Sequence, residues 1–256
     1  MHRFLVEEFS PSDAVPASFV LSPEDARHAR SVLRMSPGDQ AEIIAGGRRF
    51  LCVLSAVTAE EVTFSPLSLL PDTEPHLKIT LFQGLPKAEK MELIVQKSIE
   101  LGLVRIVPLL LSRSIVRLSP QDASRKADRW RKIAREACKQ SGRCILPEIT
   151  DPLPLRQAAP LLRECALSVV PWEEYSSGGP LSFFQTHPSC PSLGIVIGPE
   201  GGITKEEISF LSSEGCLPIT LGPRILRTET AGLAAAASFL ALYGDMETAS
   251  VPVANP

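Results

Sequence analysis

Residues 166–170, 193–197 and 217–221 form three short runs that are almost wholly apolar, and no other feature of this sequence limits the fold so strongly. A strand-length run without polar alternation must bury both of its faces, which is the pattern of a parallel sheet covered by helices. Two more strand-like runs precede them, at 77–82 and 104–111. Between those two, Met91, Ile94, Val95 and Ile99 recur at helical spacing over 89–101, ended by Gly102. Ser119-Pro120-Gln121-Asp122 starts a long helix that reaches about Ser141. Thr204 and Glu207 form a capping box for a helix ending at Ser213, and Thr228–Leu242 is the last helix. This alternation predicts an α/β domain.

The first 72 residues read differently. Short β-runs at 3–6, 19–21, 40–44, 50–57 and 62–65 are separated by Pro and Gly signals, which suggests a small β-barrel. One helix interrupts it over 26–35, capped by Ser22 with Pro23 at its first position. Pro71-Asp72-Thr73-Glu74-Pro75 resists both helix and strand and marks the boundary. The expected organisation is a barrel domain at 1–72, an α/β domain at 73–247 and a flexible tail at 248–256.

Several classes are disfavoured. Glu7 and Glu8 fall where a signal peptide needs an apolar core, and the longest nearly apolar run, 231–243, is shorter than the roughly 18–20 residues that span a bilayer. The cysteines form no C-x-x-C pair and the histidines show no ligand spacing. These features lead us to expect a reduced, cytoplasmic chain with no membrane span and no metal.

Net charge needs to be read by segment. The whole chain carries −3, which argues against a nucleic-acid partner. Residues 105–143, however, hold eleven basic residues against three acids, a local +8 that includes Arg113, Arg117, Arg129 and Arg143. A solvated amphipathic helix is the plain explanation for much of that run. Contact with a phosphate backbone is the functional one.

Two loops at strand ends carry the chemistry. Gly198-Pro199-Glu200-Gly201-Gly202 joins a buried run to a capped helix, and its glycines allow backbone to approach a ligand. It lacks the Gly-Lys-Ser/Thr of a P-loop, and a tight chain reversal would also explain it. Leu221-Gly222-Pro223-Arg224-Ile225-Leu226-Arg227-Thr228-Glu229 follows another buried run and sets two arginines and a carboxylate at a helix start. Capping by Thr228 and Glu229 is the structural alternative.

These two loops, together with Glu89-Lys90-Met91-Glu92 and Gln96-Lys97-Ser98-Ile99-Glu100-Leu101-Gly102, the Arg129-Trp130 to Gln140-Ser141 helix ending at Arg143, and His28 with Val32-Leu33-Arg34, resemble the ribosomal RNA small subunit methyltransferase E family of the SPOUT superfamily. The resemblance covers nearly the whole chain. It implies an N-terminal PUA-like barrel, a C-terminal parallel-sheet domain with a trefoil knot, against the usual rule for chain topology, and a homodimer. It also implies methyl transfer from S-adenosylmethionine to N3 of a uridine in 16S rRNA, within the 30S subunit. On this resemblance the cofactor would lie against Val170, Pro171, Trp172, Gly198, Pro199, Glu200, Gly201, Gly202, Leu221, Gly222, Ile225 and Leu226.

Uridine N3 carries a proton that must leave, so the chemistry asks for charge stabilisation and a base. Arg227 and Arg224 are the candidates for the first task, Glu229 and Glu200 for the second. Candidate RNA contacts are Arg30, Arg34, Lys87, Lys90, Arg113, Arg117, Arg129 and Arg143. Two other classes remain open on the residues alone. A non-catalytic RNA-binding protein leaves the Gly-Pro loops unexplained, and a nucleotide-binding phosphotransferase would need a phosphate lysine and metal carboxylates.

Overall fold

The computed structural model describes residues 1–7, 9 and 14–247, so the expected tail at 248–256 lies outside the described residues. The chain divides into two compact units.

The first unit comprises Met1–Glu74 and Arg135–Leu146. Strands β1 (His2–Val6), β2 (Phe19–Val20), β3 (Gln40–Ala45), β4 (Arg48–Val57) and β5 (Val62–Leu69) form one sheet in the order β1-β3-β4-β5-β2. Among the described strands of this sheet the β1–β3 pair is parallel and the other pairs are antiparallel. Register shifts between β4 and β5 at Leu51/Cys52 and Leu54/Ala56 bend the sheet around a core of Phe4, Phe19, Ile43, Phe50, Leu54 and Phe64. Helix α1 (Pro23–Arg27) begins as expected, with the Ser22 hydroxyl accepting from Asp25 N at 3.2 Å. It then widens into a π-type turn at His28–Val32, and Arg34 sits at φ 53°. Arg30 and Arg34 therefore do not share one face of a regular α-helix.

The second unit comprises Pro75–Ala134 and the described residues from Pro147 onward. Its elements are β6 (Lys78–Gly84), α2 (Lys90–Glu100), β7 (Arg105–Leu110), α3 (Pro120–Ser141, whose end from Arg135 belongs to the first unit), β8 (Glu148–Ile149), β9 (Leu153–Pro154), α4 (Ala159–Glu164), β10 (Leu167–Pro171), α5 (Pro180–Thr186), β11 (Ser192–Ile197), α6 (Lys205–Ser213), β12 (Cys216–Ile219) and α7 (Thr228–Leu242). The sheet is parallel throughout, in the order β12-β10-β11-β6-β7-β8, with β9 also paired to β7. The apolar runs are its strands β10, β11 and β12, and Phe82, Val107, Val170 and Val196 are fully buried in its core. After the edge strand β12 the chain returns to lay α7 against β11, α2 and α5. The short elements β8, β9, α4 and α5 offer too few residues for a period, and the sequence pattern does not reveal them.

Candidate active site

Because β12, β10 and β11 are parallel neighbours, their carboxyl ends lie side by side, and the loops that follow them face one another. Those loops enclose a cavity of about 950 Å³. Its apolar walls come from Pro171, Trp172, Ile197, Ile203, Leu221 and Leu226, and the loops Gly198–Gly202 and Leu221–Arg227 bring their backbone to it beside the polar residues Lys90, Glu173, Glu200, Arg224 and Arg227.

Two glycines make this packing possible. Gly202 has φ +73°, and a Cβ there would lie 2.8 Å from Glu173 Oε1. At the end of β6, a Cβ on Gly84 would lie 2.7 Å from both Pro199 N and Pro199 Cδ. The glycine-rich loop can therefore seat directly on the strand only where the strand has no side chain.

Nearly every residue expected at the cofactor site lines the cavity: Pro171, Trp172, Gly198, Pro199, Glu200, Gly201, Gly202, Leu221, Gly222, Ile225 and Leu226. Val170 does not. It is fully buried in the core, because successive strand residues point to opposite faces and Pro171 takes the position at the strand's end. Glu173 and Pro223, within the same loops, line it too, and so do Tyr175, Ser176, Ile203 and Thr220, which sequence reasoning missed although they lie close to the same strand ends.

Arg224 and Arg227 line the rim, the latter with 81% of its side chain exposed and Nη1 4.0 Å from Glu229 Oε1. Ile225 between them is 90% exposed. The capping explanation for Thr228 does not hold: Arg227 is the cap residue, no side chain caps it, and the Thr228 hydroxyl instead donates to Gly198 O at 2.6 Å.

Lys90 connects the two charged loops. Its Nζ lies 3.0 Å from Glu200 Oε1 and 3.2 Å from Glu229 Oε2, and Lys87 N donates to Glu200 Oε1 at 3.1 Å. Hydrogen bonding to Glu200 and then Glu229 raises the Lys90 ammonium above its ordinary value. Desolvation pushes the Glu200 carboxyl up, but its own backbone N–H and then Lys90 outweigh that and hold it below the usual range. Glu229 is likewise lowered, first by its own backbone N–H and then, against some desolvation, by Lys90. Both carboxylates pair with Lys90 and are lowered, which makes them weaker proton acceptors. The pairing weakens the candidacy of Glu200 and Glu229 as bases and of Lys90 as a phosphate contact.

The basic run is reduced in the same way. Arg105, Arg125, Arg129 and Arg131 pair with acids of the second unit, and Arg135, Lys139 and Arg143 with acids of the first. Arg129 Nη2 is 2.8 Å from Glu92 Oε1, which weakens its candidacy as a phosphate contact. Arg143 is a plain correction: its side chain is 4% exposed and locked onto Glu74 at 2.6 Å, out of reach of RNA. Arg30 spends one guanidinium nitrogen on the carbonyls of Thr58 and Ala59, at 2.7 and 2.9 Å. Arg34 and Lys87 stay accessible at the surface. Arg113, Arg117, Lys126 and Lys132 have no ion-pair partner among the described residues, and Arg113 Nη1 donates to Gly201 O at 3.0 Å.

Burial pushes Cys52, Cys138 and Cys216 up to about 12, so these thiols stay protonated. Among the described residues no helix is long and apolar enough to cross a membrane, and no group of His, Cys, Asp and Glu is placed to hold a metal.

Comparison with known proteins agrees with this geometry. The model of the RNA methyltransferase domain matches residues 73–240, and that of the RNA methyltransferase PUA domain matches 21–67. The chain is 35% identical to the Bacillus subtilis protein named ribosomal RNA small subunit methyltransferase E, covering 91% of this chain and 93% of that one. Among solved structures, the Neisseria gonorrhoeae methyltransferase of the same name, bound to S-adenosylmethionine, superposes with a TM-score of 0.81 at 30% identity, over 95% of this chain and 98% of that one. A putative methyltransferase from Legionella pneumophila, also with that cofactor bound, gives 0.79 at 34% identity, over 93% and 96%.

Proposed function

Because the chain belongs to the ribosomal RNA small subunit methyltransferase E family of RNA methyltransferases, we propose that it transfers a methyl group from S-adenosylmethionine to N3 of a uridine in 16S rRNA. The same proposal places it in the cytoplasm, acting as a homodimer on the 30S subunit. It includes a trefoil knot, supported by the return of the chain from edge strand β12 to α7.

The observation that carries the reading is the cavity at the ends of β10, β11 and β12. Its volume of about 950 Å³ and apolar walls suit an adenosine-sized ligand, and its backbone groups can recognise an adenine edge without a basic phosphate cradle. Pro171, Trp172, Gly198–Gly202 and Leu221–Leu226 would hold the cofactor, which supplies an electrophilic methyl on a sulfonium. The phosphotransferase alternative finds no phosphate lysine at this loop, since Lys90 is bound to two carboxylates.

The remaining work falls to the chain's own side chains. Arg227 and Arg224 stand at the rim as planar donors, suited to stabilise negative charge spreading onto the uracil oxygens as N3 loses its proton, or to grip the adjoining phosphate. Glu200 and Glu229, held ionised, keep Lys90 and the α7 start in place. N3 therefore gives its proton to solvent, with the arginines lowering the cost of the anion. Arg113, Arg117, Lys126 and Lys132 supply the phosphate contacts in this unit.

Calorimetry with S-adenosylmethionine, followed by a methylation assay on naked 16S rRNA and on 30S particles with mass spectrometry of the nucleoside, tests the reading. Micromolar-range cofactor binding and N3-methyluridine are expected. A folded protein that binds no cofactor would end the reading, and a different methylated nucleoside would overturn the assignment to N3.

A further inference from the structure

Gln83 is fully buried at the end of β6, in none of the sequence motifs and behind the cavity wall. Its Nε2 donates to Thr228 Oγ1 at 2.9 Å and to Gly84 O at 3.0 Å. The Thr228 hydroxyl has one proton, and the 2.6 Å approach to Gly198 O, which can only accept, claims it. Gln83 must then present its NH₂ to Thr228, so the orientation of the amide is dictated by the network. The same orientation leaves Gln83 Oε1 buried without a hydrogen-bond partner among the described residues. Core packing alone would not retain such a group, since an apolar side chain fits this strand position without an orphan acceptor.

We propose that Gln83 is a positioning residue which, through the Thr228 hydroxyl, fixes the glycine-rich loop at Gly198 to the first turn of α7, the turn that presents Arg227 and Glu229. The inference rests on the reading of the cavity as the S-adenosylmethionine site. Lys90 joins the same two elements at the rim, but that tie is partly exposed and screened by water. The Gln83–Thr228–Gly198 chain is buried and directional, so it sets the spacing of two of the three loops that line the cavity.

Thr228→Val keeps the shape and removes both hydrogen bonds, Thr228→Ser restores them, and Gln83→Leu removes the donor from the other side. Each protein is assayed for cofactor affinity by calorimetry, for kcat and KM, and for amide exchange of peptides covering 198–203, which needs no cofactor. The Val and Leu variants should bind S-adenosylmethionine about tenfold more weakly, the size expected for one buried hydrogen bond, and should exchange the loop amides faster. Their kcat should fall while KM for RNA holds, and Thr228→Ser should stay near the parent. Folded Val and Leu variants with parental loop exchange would overturn the proposal whatever the cofactor does. Loss of the whole fold in both would assign Gln83 to stability and overturn it too. Failure of the parent itself to bind the cofactor would remove the underlying reading, and the inference with it.

Discussion

Replacing Glu74 with Gln tests whether Arg143 is a structural residue or an RNA contact. Glu74 Oε2 accepts from Arg143 Nη2 at 2.6 Å, and Oε1 accepts from Arg143 Nε at 3.0 Å, Cys144 N at 2.7 Å and Ile145 N at 3.1 Å. The Arg143 and Glu74 side chains are 4% and 3% exposed. All four of these partners are donors, so an amide would turn its NH₂ toward N–H groups and remove the counter-charge of a buried guanidinium. Breaking such a pair from one side costs about 3–5 kcal/mol. With a urea m-value of roughly 1.5–2 kcal/mol/M, the midpoint should fall by about 2 M.

Both tryptophans, Trp130 and Trp172, lie in the second unit, so their fluorescence follows that unit while far-UV circular dichroism follows both. The early loss should appear in the dichroism and not in the fluorescence. Replacing both partners, Glu74→Leu with Arg143→Met, should recover part of the loss but not all of it, because Cys144 N and Ile145 N would still lack an acceptor. A Glu74→Gln protein within about 1 kcal/mol of the parent would refute the argument from burial. An Arg143→Gln protein of parental stability that binds rRNA more weakly would return Arg143 to the RNA surface.

Arg227→Ala should abolish methylation of 30S particles while leaving the unfolding transition and cofactor affinity unchanged; parental turnover would remove Arg227 from the mechanism. Replacing Arg117 or Lys126 should flatten the dependence of log Kd for rRNA on log salt by roughly one unit each, whereas Arg131→Gln, already paired to Asp128 and Asp151, should leave the slope unchanged. Gly202→Ala forces a side chain into φ +73° beside Glu173, a cost of about 1–2 kcal/mol, and calorimetry should show cofactor affinity falling by roughly 5- to 30-fold. Lys90→Met should lower stability by an amount that depends on pH. Glu200 and Glu229 have folded values below their unfolded ones, so their contribution is complete above the ordinary carboxylate range and is lost as pH falls through the lowered values. Lys90 is raised, so its contribution is complete below the ordinary lysine value and is lost as pH rises through the raised one. The gap between the two proteins in urea midpoint should be level around neutrality and close in acid and in strong alkali; a gap independent of pH would show that Lys90 acts by packing.

What can be read from the sequence divides along physical lines. The buried strands are legible because burial on both faces forces an apolar run, and α6 and α7 because their starts and lengths leave local marks. Loops at the ends of those strands follow from the rule that parallel strands present their carboxyl ends together, which is why nearly all the expected cavity residues line one cavity. Pairing is not legible, since a sequence displays charges and a fold decides their partners. Arg143 reads as one more cation in a basic run until Glu74 is brought to it from 69 positions away. Glu200 reads as a candidate base, and Glu229 as a candidate base or a helix cap, until Lys90 is placed between them, 110 and 139 positions earlier in the chain. Gln83, which lies in none of the motifs, does leave a local mark of this kind. A long amide closing an apolar strand has to be satisfied by something, and that requirement calls for a polar partner in whichever segment packs against the strand's end. The cavity is legible because the shape of a loop is set by its own glycines, whereas the pairing of Glu200 and Glu229 depends on the cation that the fold delivers to them.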